Sequence, residues 1–375
     1  LWRVVEPSIV NCIRLDETLL VISSRSGNSN GISGRGEKMA MSTRFTEHAG
    51  VEHPIICGAM YPCSNPELVA AASAGGGLAI MQPVSLTFVH GHDLREGIRL
   101  MRSLTDKPIG FNALIEKGSK KYLDKMSNWI DIALDEGIRF FVTSLGKPDW
   151  VCERVHAKGG YVYHDVTTRK HALKGIECGV DGLICVNDRA GGHLGAKSSA
   201  EMFAELSDLG LPLICAGGIG SEVELVEAMA IGYDGVQMGT RFIATTECNS
   251  PEDYKEAIVE AGEADIVWTN RLTGIPISVI RSNHFKQDNS WLMRRLLAGR
   301  FKHTARMFLN LRSFFKLRNL TRKKGGSASK KKQFFSAGKS VETVTSIESA
   351  TVIMSRLGES LGSLETIEAP ETPES

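Results

Sequence analysis

The sequence predicts an α/β fold: a (β/α)8 TIM barrel with a C-terminal helical extension. Between residues 54 and 261, eight strand-like runs alternate with eight helix-like runs, joined by short connections. The strand-like runs are apolar throughout rather than alternating, which is typical of parallel strands that are covered by helices. Glycine follows most of the predicted helices, as expected at helix C-termini.

The elements follow one another in a regular order. The predicted strands are residues 54–59, 77–82, 108–114, 139–145, 161–166, 182–187, 212–217 and 235–243. The predicted helices begin near residues 65, 89, 120, 148, 168, 199, 221 and 251, and Pro66 suits the first turn of the first one. A doubly wound open sheet is the alternative. It would need a glycine-rich fingerprint after the first strand, and residues 58–62 do not form one.

Composition limits the class of protein. The 375 residues are 42% hydrophobic and 23% charged, enough for a large core, and the formal net charge of +1 gives no overall attraction to nucleic acid. No apolar run is long enough for a transmembrane segment. The eight cysteines include no CxxC pair. We therefore expect reduced thiols, no zinc site and a cytoplasmic location.

The two ends differ from the barrel in composition. We expect residues 1–45 to be an N-terminal arm, disordered or artefactual, because it lacks periodicity and the features of a secretory signal. We expect the barrel at 46–285, a basic helical extension at 286–358 and an acidic disordered tail at 359–375. Residues 294–332 contain fourteen Lys and Arg and no acidic residue. That segment either packs on the barrel with its charges solvated or binds an acidic partner.

A histidine surrounded by glycines follows the sixth strand. Gly191, Gly192 and Gly195 flank His193 in the sequence AGGHLG. Glycines let the backbone approach a flat ligand, and the imidazole can then act as an acid or a base on it. The alternative is a hydrogen-bonded surface histidine.

The last two strands end in possible phosphate-binding turns. Gly217 and Gly218 follow the seventh strand, and Gly239 and Thr240 lie at the end of the eighth. Barrels of this kind commonly bind phosphate at these two places, through backbone N–H groups and hydroxyls. Alternatively, the glycines merely end strands.

Polar residues also end other strands. Gln82 and Asn112 either bond the polar edge of a ring or cap loops. His164 and Asp165 end the fifth strand, and only one of these neighbours can easily point inward. We find no metal-binding constellation and no serine nucleophile elbow.

Six stretches together resemble a known family, the FMN-dependent nitronate monooxygenases, also called 2-nitropropane dioxygenases. The similarity covers about residues 50–285. The matching stretches are HPIICGAM (53–60), NPELVAAASAGGGLAI (65–80), PIGFNALI (108–115), VDGLICVNDRAGGHLG (180–195), LPLICAGGIG (211–220) and GVQMGTRFIATTEC (235–248).

The resemblance implies a barrel that holds one non-covalent FMN. Ala59 and Met60 would lie against the flavin and Asn112 would bond it, while His193 would be the catalytic histidine. The substrates would be a small nitronate or nitroalkane and oxygen, and the products a carbonyl compound and nitrite. The full set expected to bind the cofactor is Ala59, Met60, Gln82, Asn112, His164, Gly191, Gly192, Gly217, Gly218, Gly239 and Thr240.

Two departures and two alternative functions remain open. Gly58 stands in a loop where many relatives have Ala-Pro-Met, and Asp165 stands where some relatives carry a flavin-contacting lysine. Similar flavin barrels serve as NAD(P)H-dependent reductases of quinones or enoyl thioesters, which is the main alternative. A nucleotide-handling dehydrogenase with a catalytic cysteine is less favoured, because residues 187–190 contain no cysteine.

Overall fold

A computed structural model of the chain describes residues 41–116, 120–269, 277–281 and 335–362. Eight parallel strands close into a barrel, which confirms the predicted fold, and the last strand pairs with the first. The barrel strands are β1 (Ile55–Cys57), β2 (Leu78–Met81), β3 (Ile109–Leu114), β4 (Phe140–Ser144), β5 (Tyr161–Val166), β6 (Gly182–Val186), β8 (Leu213–Ala216) and β9 (Gly235–Met238). A separate antiparallel sheet contains β7 (Gly192–His193), β10 (Ile266–Thr269) and β11 (Ile277–Ile280).

Helices alternate with the strands along the chain. They are α1 (Arg44–Ala49), α2 (Pro66–Ala74), α3 (Leu94–Leu104), α4 (Lys120–Asp135), α5 (Asp149–His156), α6 (Arg169–Glu177), α7 (Ser199–Leu206), α8 (Glu222–Ile231), α9 (Thr240–Ile243), α10 (Glu252–Glu260) and α11 (Ala350–Gly362). The eighth predicted strand was too long, because it ends at Met238 and the chain turns into α9. Its apolar run continues through both elements, and such a run does not separate a buried strand from a buried helix.

Strand side chains divide into an inner and an outer apolar layer, because neighbours point to opposite faces. The inner layer includes Ile56, Ile80, Val142, Tyr163, Ile184 and Ile214. Phe45 of α1 joins this layer, with its ring centroid 5.7 Å from that of Phe140. Helix α1 therefore contributes to the barrel interior.

Residues 41–45 are part of the fold, which corrects the predicted boundary of the N-terminal arm. The Thr43 hydroxyl donates to the Asp234 carbonyl at 2.7 Å, and the Thr43 and Thr46 side chains form a capping box at the start of α1. The stretch is short and mostly polar around one buried phenylalanine, so it carries no periodic signal. Residues 1–40 lie outside the described residues.

The Thr43 cap gives the first testable prediction. Replacing Thr43 by Ala removes two hydrogen bonds and should lower the free energy of unfolding by about 1 kcal/mol, the usual effect of losing a cap. The control is Ser42→Ala, which removes an exposed hydroxyl that donates to Glu47. Equal denaturation midpoints for the two variants would show that α1 is not held by this cap.

In the ring of helices around the barrel, the place between α8 and α2 is occupied by α11. The helix predicted to follow the eighth strand does not occupy it. Helix α11 packs against both neighbours. A Cβ atom added at Gly77 would lie 2.4 Å from the Met354 sulfur, which shows how closely α11 approaches the barrel. The helix continues to Gly362 because Leu361 is buried, so residues 359–362 are not part of a disordered tail. The basic segment 294–332 lies outside the described residues.

Two searches cover the part of the chain that the structure describes. Within it, no helix has the length and apolar character to cross a bilayer. No group of His, Cys, Asp or Glu in the same residues is arranged to hold a metal ion. The cytoplasmic location stays a prediction.

Candidate active site

Asn187 joins two loops at the mouth of the barrel. It directly follows β6 and is buried. Its Nδ2 donates to the Gly217 carbonyl at 2.9 Å, and its Oδ1 accepts from the Arg189 amide at 2.9 Å. Its own carbonyl accepts from the Gly195 amide at 3.0 Å. Asn187 therefore fixes the loop that carries His193 against the turn after β8. Sequence analysis missed this role, although a polar residue at a strand end was the available signal.

The turn after β8 requires glycine at two successive positions. Gly217 and Gly218 have φ values of +121° and +82°, in the left-handed region. A Cβ atom at Gly217 would lie 2.2 Å from Asn187 Oδ1, and one at Gly218 would lie 2.7 Å from Arg189 Nε. The backbone of this turn therefore lies so close to the His193 loop that a side chain would not fit between them.

The C-terminal segment crosses the same region. The Gly338 amide donates to the buried Thr240 hydroxyl at 2.9 Å, and the Lys339 amide donates to the Arg189 carbonyl at 3.0 Å. A Cβ atom at Gly338 would lie 2.6 Å from the Gly191 amide nitrogen. Residues from β6, β9 and the C-terminal segment thus meet around the predicted phosphate site. Because the Thr240 hydroxyl accepts from Gly338, its own proton remains available to a ligand.

The carboxylate of Glu263 links the His193 loop to the C-terminal segment through two ion pairs. Glu263 accepts from Arg189 at 2.8 Å and from Lys339 at 3.0 Å. The Lys339 hydrogen bond, followed by that of Arg189, holds the pKa of Glu263 below its usual value. The two cations are therefore already paired, and they hold the C-terminal segment on the His193 loop.

His193 lies on the separate small sheet, next to the barrel mouth. In β7 it pairs with Ile277 of β11, and the residue is exposed. No hydrogen bond joins its imidazole to another described residue. Although the residue as a whole is exposed, the chain around its ring partly removes water, which lowers the pKa of His193 and favours the neutral ring near pH 7. A neutral imidazole can accept a proton from a ligand.

The loop after β1 meets the turn after β9. The Gly58 amide donates to the Met238 carbonyl at 2.9 Å, and the Met60 amide donates to the Ser64 hydroxyl at 2.8 Å. A Cβ atom at Gly239 would lie 3.6 Å from the Met60 sulfur. Ala59 and Met60 are half-buried in this loop. The structure therefore brings the predicted flavin-contacting loop beside the predicted phosphate turn.

Gln82 and Asn112 have different surroundings. Gln82 is buried, and its Oε1 accepts from the Ser85 amide at 2.8 Å, which is the loop-capping alternative. Asn112 lies on β3 between outward-facing Phe111 and Ala113, so it points inward. It is half-buried and has no hydrogen bond to another described residue. Asn112 is thus available to a ligand, whereas one end of the Gln82 amide is occupied.

His164 does not reach the mouth, so the prediction that it contacts the cofactor is wrong. Its Nδ1 lies 2.9 Å from the Thr143 hydroxyl, and its ring approaches Gly175 of α6 on the outside of the barrel. Burial there lowers the pKa of His164 to about 4. The inward position at the end of β5 belongs to Asp165, because Tyr163, two residues earlier, lies in the interior layer.

In the part of the chain that the structure describes, three polar side-chain atoms near the C-terminal ends of strands are buried without a hydrogen bond. They are Ser85 Oγ, Asp165 Oδ1 and Asp188 Oδ1, which follow or end β2, β5 and β6. Buried polar atoms normally have partners, so each exception needs an explanation. A polar cofactor at the mouth would supply donors and acceptors here. The residues present therefore fit such a cofactor.

Barrels with glycine turns after their last two strands commonly bind phosphate-bearing cofactors at that place. The fold and site thus define a cofactor-dependent barrel enzyme. The chain belongs to the nitronate monooxygenase family, whose sequence model matches residues 42–359. This confirms the resemblance, and the protein is accordingly an oxidoreductase and a flavoprotein.

Individual relatives carry different names. A Rhodococcus jostii protein named (3aS,4S,5R,7aS)-5-hydroxy-7a-methyl-1-oxo-octahydro-1H-indene-4-carboxyl-CoA dehydrogenase is 29% identical over 69% of this chain and 71% of its own. A probable nitronate monooxygenase of Staphylococcus saprophyticus is 27% identical over 68% and 82%. The solved structure of FabK from Thermotoga maritima has a TM-score of 0.67 and 26% identity, covering 87% of this chain and 99% of that one.

Proposed function

We propose that the protein uses FMN to oxidise alkyl nitronates with oxygen, giving a carbonyl compound and nitrite. The observation that carries the proposal is the neutral imidazole of His193, which has no hydrogen bond to another described residue. It lies on a loop that Asn187 joins to the glycine turn after β8. A neutral imidazole on this loop could accept the proton of a nitroalkane or donate a hydrogen bond to a nitronate, at the mouth where the glycine turn would hold the cofactor.

The proposed cofactor site uses the residues at the ends of β1, β3, β8 and β9. Backbone N–H groups of Gly217, Gly218 and Gly239, with the Thr240 hydroxyl, would hold the single phosphate of FMN. Asn112 would bond the ring, and Ala59 and Met60 would lie against it. FMN would supply the two-electron redox chemistry, while the protein supplies position and proton handling.

His193 would handle the substrate proton. With a neutral nitroalkane, the imidazole would accept the proton from the carbon next to the nitro group. With a preformed nitronate, it would only position the anion. Gly191 and Gly192 carry no side chains between this histidine and the mouth, so the substrate can approach the backbone closely.

The lowered pKa of His193 predicts a pH profile. The basic form acts, so activity on neutral nitroalkanes should be retained down to below pH 6.5, the ordinary histidine pKa, and should be lost only in more acidic solution. The measurement is kcat/KM against pH for a nitroalkane and for its preformed nitronate. An acidic limb at or above pH 6.5 in the nitroalkane profile would contradict the assignment.

The test of the proposed function is an anaerobic titration of the flavin spectrum. Parallel samples receive an alkyl nitronate, NADH or NADPH. Bleaching by nitronate, followed by nitrite release on admitting oxygen, is the expected result. Rapid bleaching by a nicotinamide without reaction with nitronate would reject nitronate oxidation.

A second candidate is an NAD(P)H-dependent reductase acting on quinones or enoyl thioesters. Its support comes from the similarity to FabK and to a relative named as a carboxyl-CoA dehydrogenase. The same cofactor site serves both candidates, and fold does not fix the substrate. The electron donor that bleaches the flavin distinguishes them.

A further inference from the structure

Asp165 is an inward-facing acid that the proposed function leaves without a role. It stands on β5 beside Ile184 of β6, a residue of the interior layer. Its neighbour His164 faces outward to Thr143. Asp165 therefore belongs to the uppermost interior positions, where the barrel opens toward the His193 loop.

The described neighbours of this carboxyl group on the interior face are uncharged. Its Oδ1 is buried and has no hydrogen bond to a described residue, although Asp165 as a whole is partly accessible. By strand alternation, β4 presents Ser144 and β6 presents Ile184 and Val186 on the same interior face. Burial raises the pKa of Asp165 to about 7, and no charged group among the described residues contributes. A full negative charge here has no counter-ion among the described residues, so the proton is easily gained.

We propose that Asp165 faces the bound flavin and takes up a proton from solvent when the flavin is reduced. The inference rests on one part of the proposed function, the binding of FMN. A flavin that takes up two electrons and one proton gains one net negative charge. A carboxylate at the same mouth, without a counter-ion, would then be protonated. Reduction would consume two electrons from the donor and two protons from solvent, one on the flavin and one on Asp165.

The test is the reduction potential of the holoenzyme, measured with redox mediators above and below pH 7. One extra proton changes the reduction equilibrium tenfold per pH unit, or about 30 mV for a two-electron couple. The quantity compared is the slope of the reduction potential against pH. Above pH 7, where Asp165 is ionised in the oxidised protein, this slope should be steeper in the wild type than in Asp165→Asn by about 30 mV per pH unit. Below pH 7 the two slopes should agree. Glu256→Gln, an exposed acid on α10, is the control and should keep the wild-type slope.

A second measurement does not depend on the variant folding. Infrared difference spectra of the wild-type holoenzyme, recorded above pH 7, should show a protonated carboxyl band appearing on reduction. Equal slopes for wild type and Asp165→Asn, or no such band, would overturn the proposal. Because the mediators replace the natural donor, a flavin that nitronate fails to reduce contradicts the proposed function alone. A protein that binds no flavin overturns both.

Discussion

Replacing His193 by Asn should lower kcat/KM for neutral nitroalkanes on the order of 10²–10⁴-fold, the usual loss on removing a general base. The imidazole is neutral and has no hydrogen bond to another described residue, so its removal should leave the surrounding hydrogen bonds intact. FMN binding should be retained, because the predicted phosphate site lies on other loops. Preformed nitronates, which have already lost the proton, should suffer less.

The comparison between the two substrates is the decisive measurement. A matched control is His156→Asn at the end of α5, on the opposite face of the barrel, where the side chain bonds Asp181. It should keep wild-type activity on both substrates. If His193→Asn reduced activity on nitroalkane and nitronate equally and only slightly, His193 would not be the base.

The sequence was sufficient for the barrel because its signals are local. Each strand is an apolar run that a turn ends, and the residues that follow a parallel strand lie at the same mouth. Chain order alone therefore predicts that His193, Gly217 and Thr240 lie at the same mouth. These assignments need only the strand count and the direction of the strands.

The positions that sequence reasoning missed depend on long-range contacts. Gly338 reaches Thr240 from 98 residues away, and α11 fills the place of a barrel helix. Neither contact leaves a periodic signal at the point where it is made. The prediction that His164 contacts the cofactor was wrong for a different reason. Val162 and Tyr163 are both apolar, so the pattern does not show which face of β5 points inward.

Replacing Gly217 by Ala should reduce both stability and FMN affinity. A side chain at φ +121° is strained by about 1–2 kcal/mol. The new Cβ would also lie 2.2 Å from Asn187 Oδ1 and 2.6 Å from the Ala190 amide nitrogen, which adds about 1–3 kcal/mol of overpacking. Relief requires moving the turn or the His193 loop. Since a loss of about 1.4 kcal/mol is tenfold in affinity, we expect FMN binding weakened on the order of 10–100-fold.

A control variant at another glycine distinguishes backbone strain from displacement of the phosphate turn. Gly210 has φ +75°, and a Cβ atom there would meet nothing within 4 Å. Gly210→Ala should therefore lose about 1 kcal/mol of stability through strain alone and keep wild-type FMN affinity. Denaturation and FMN titration of both variants give the answer. If Gly217→Ala bound FMN as tightly as Gly210→Ala does, the turn after β8 would not hold the phosphate, because its backbone cannot accept the new atom without moving.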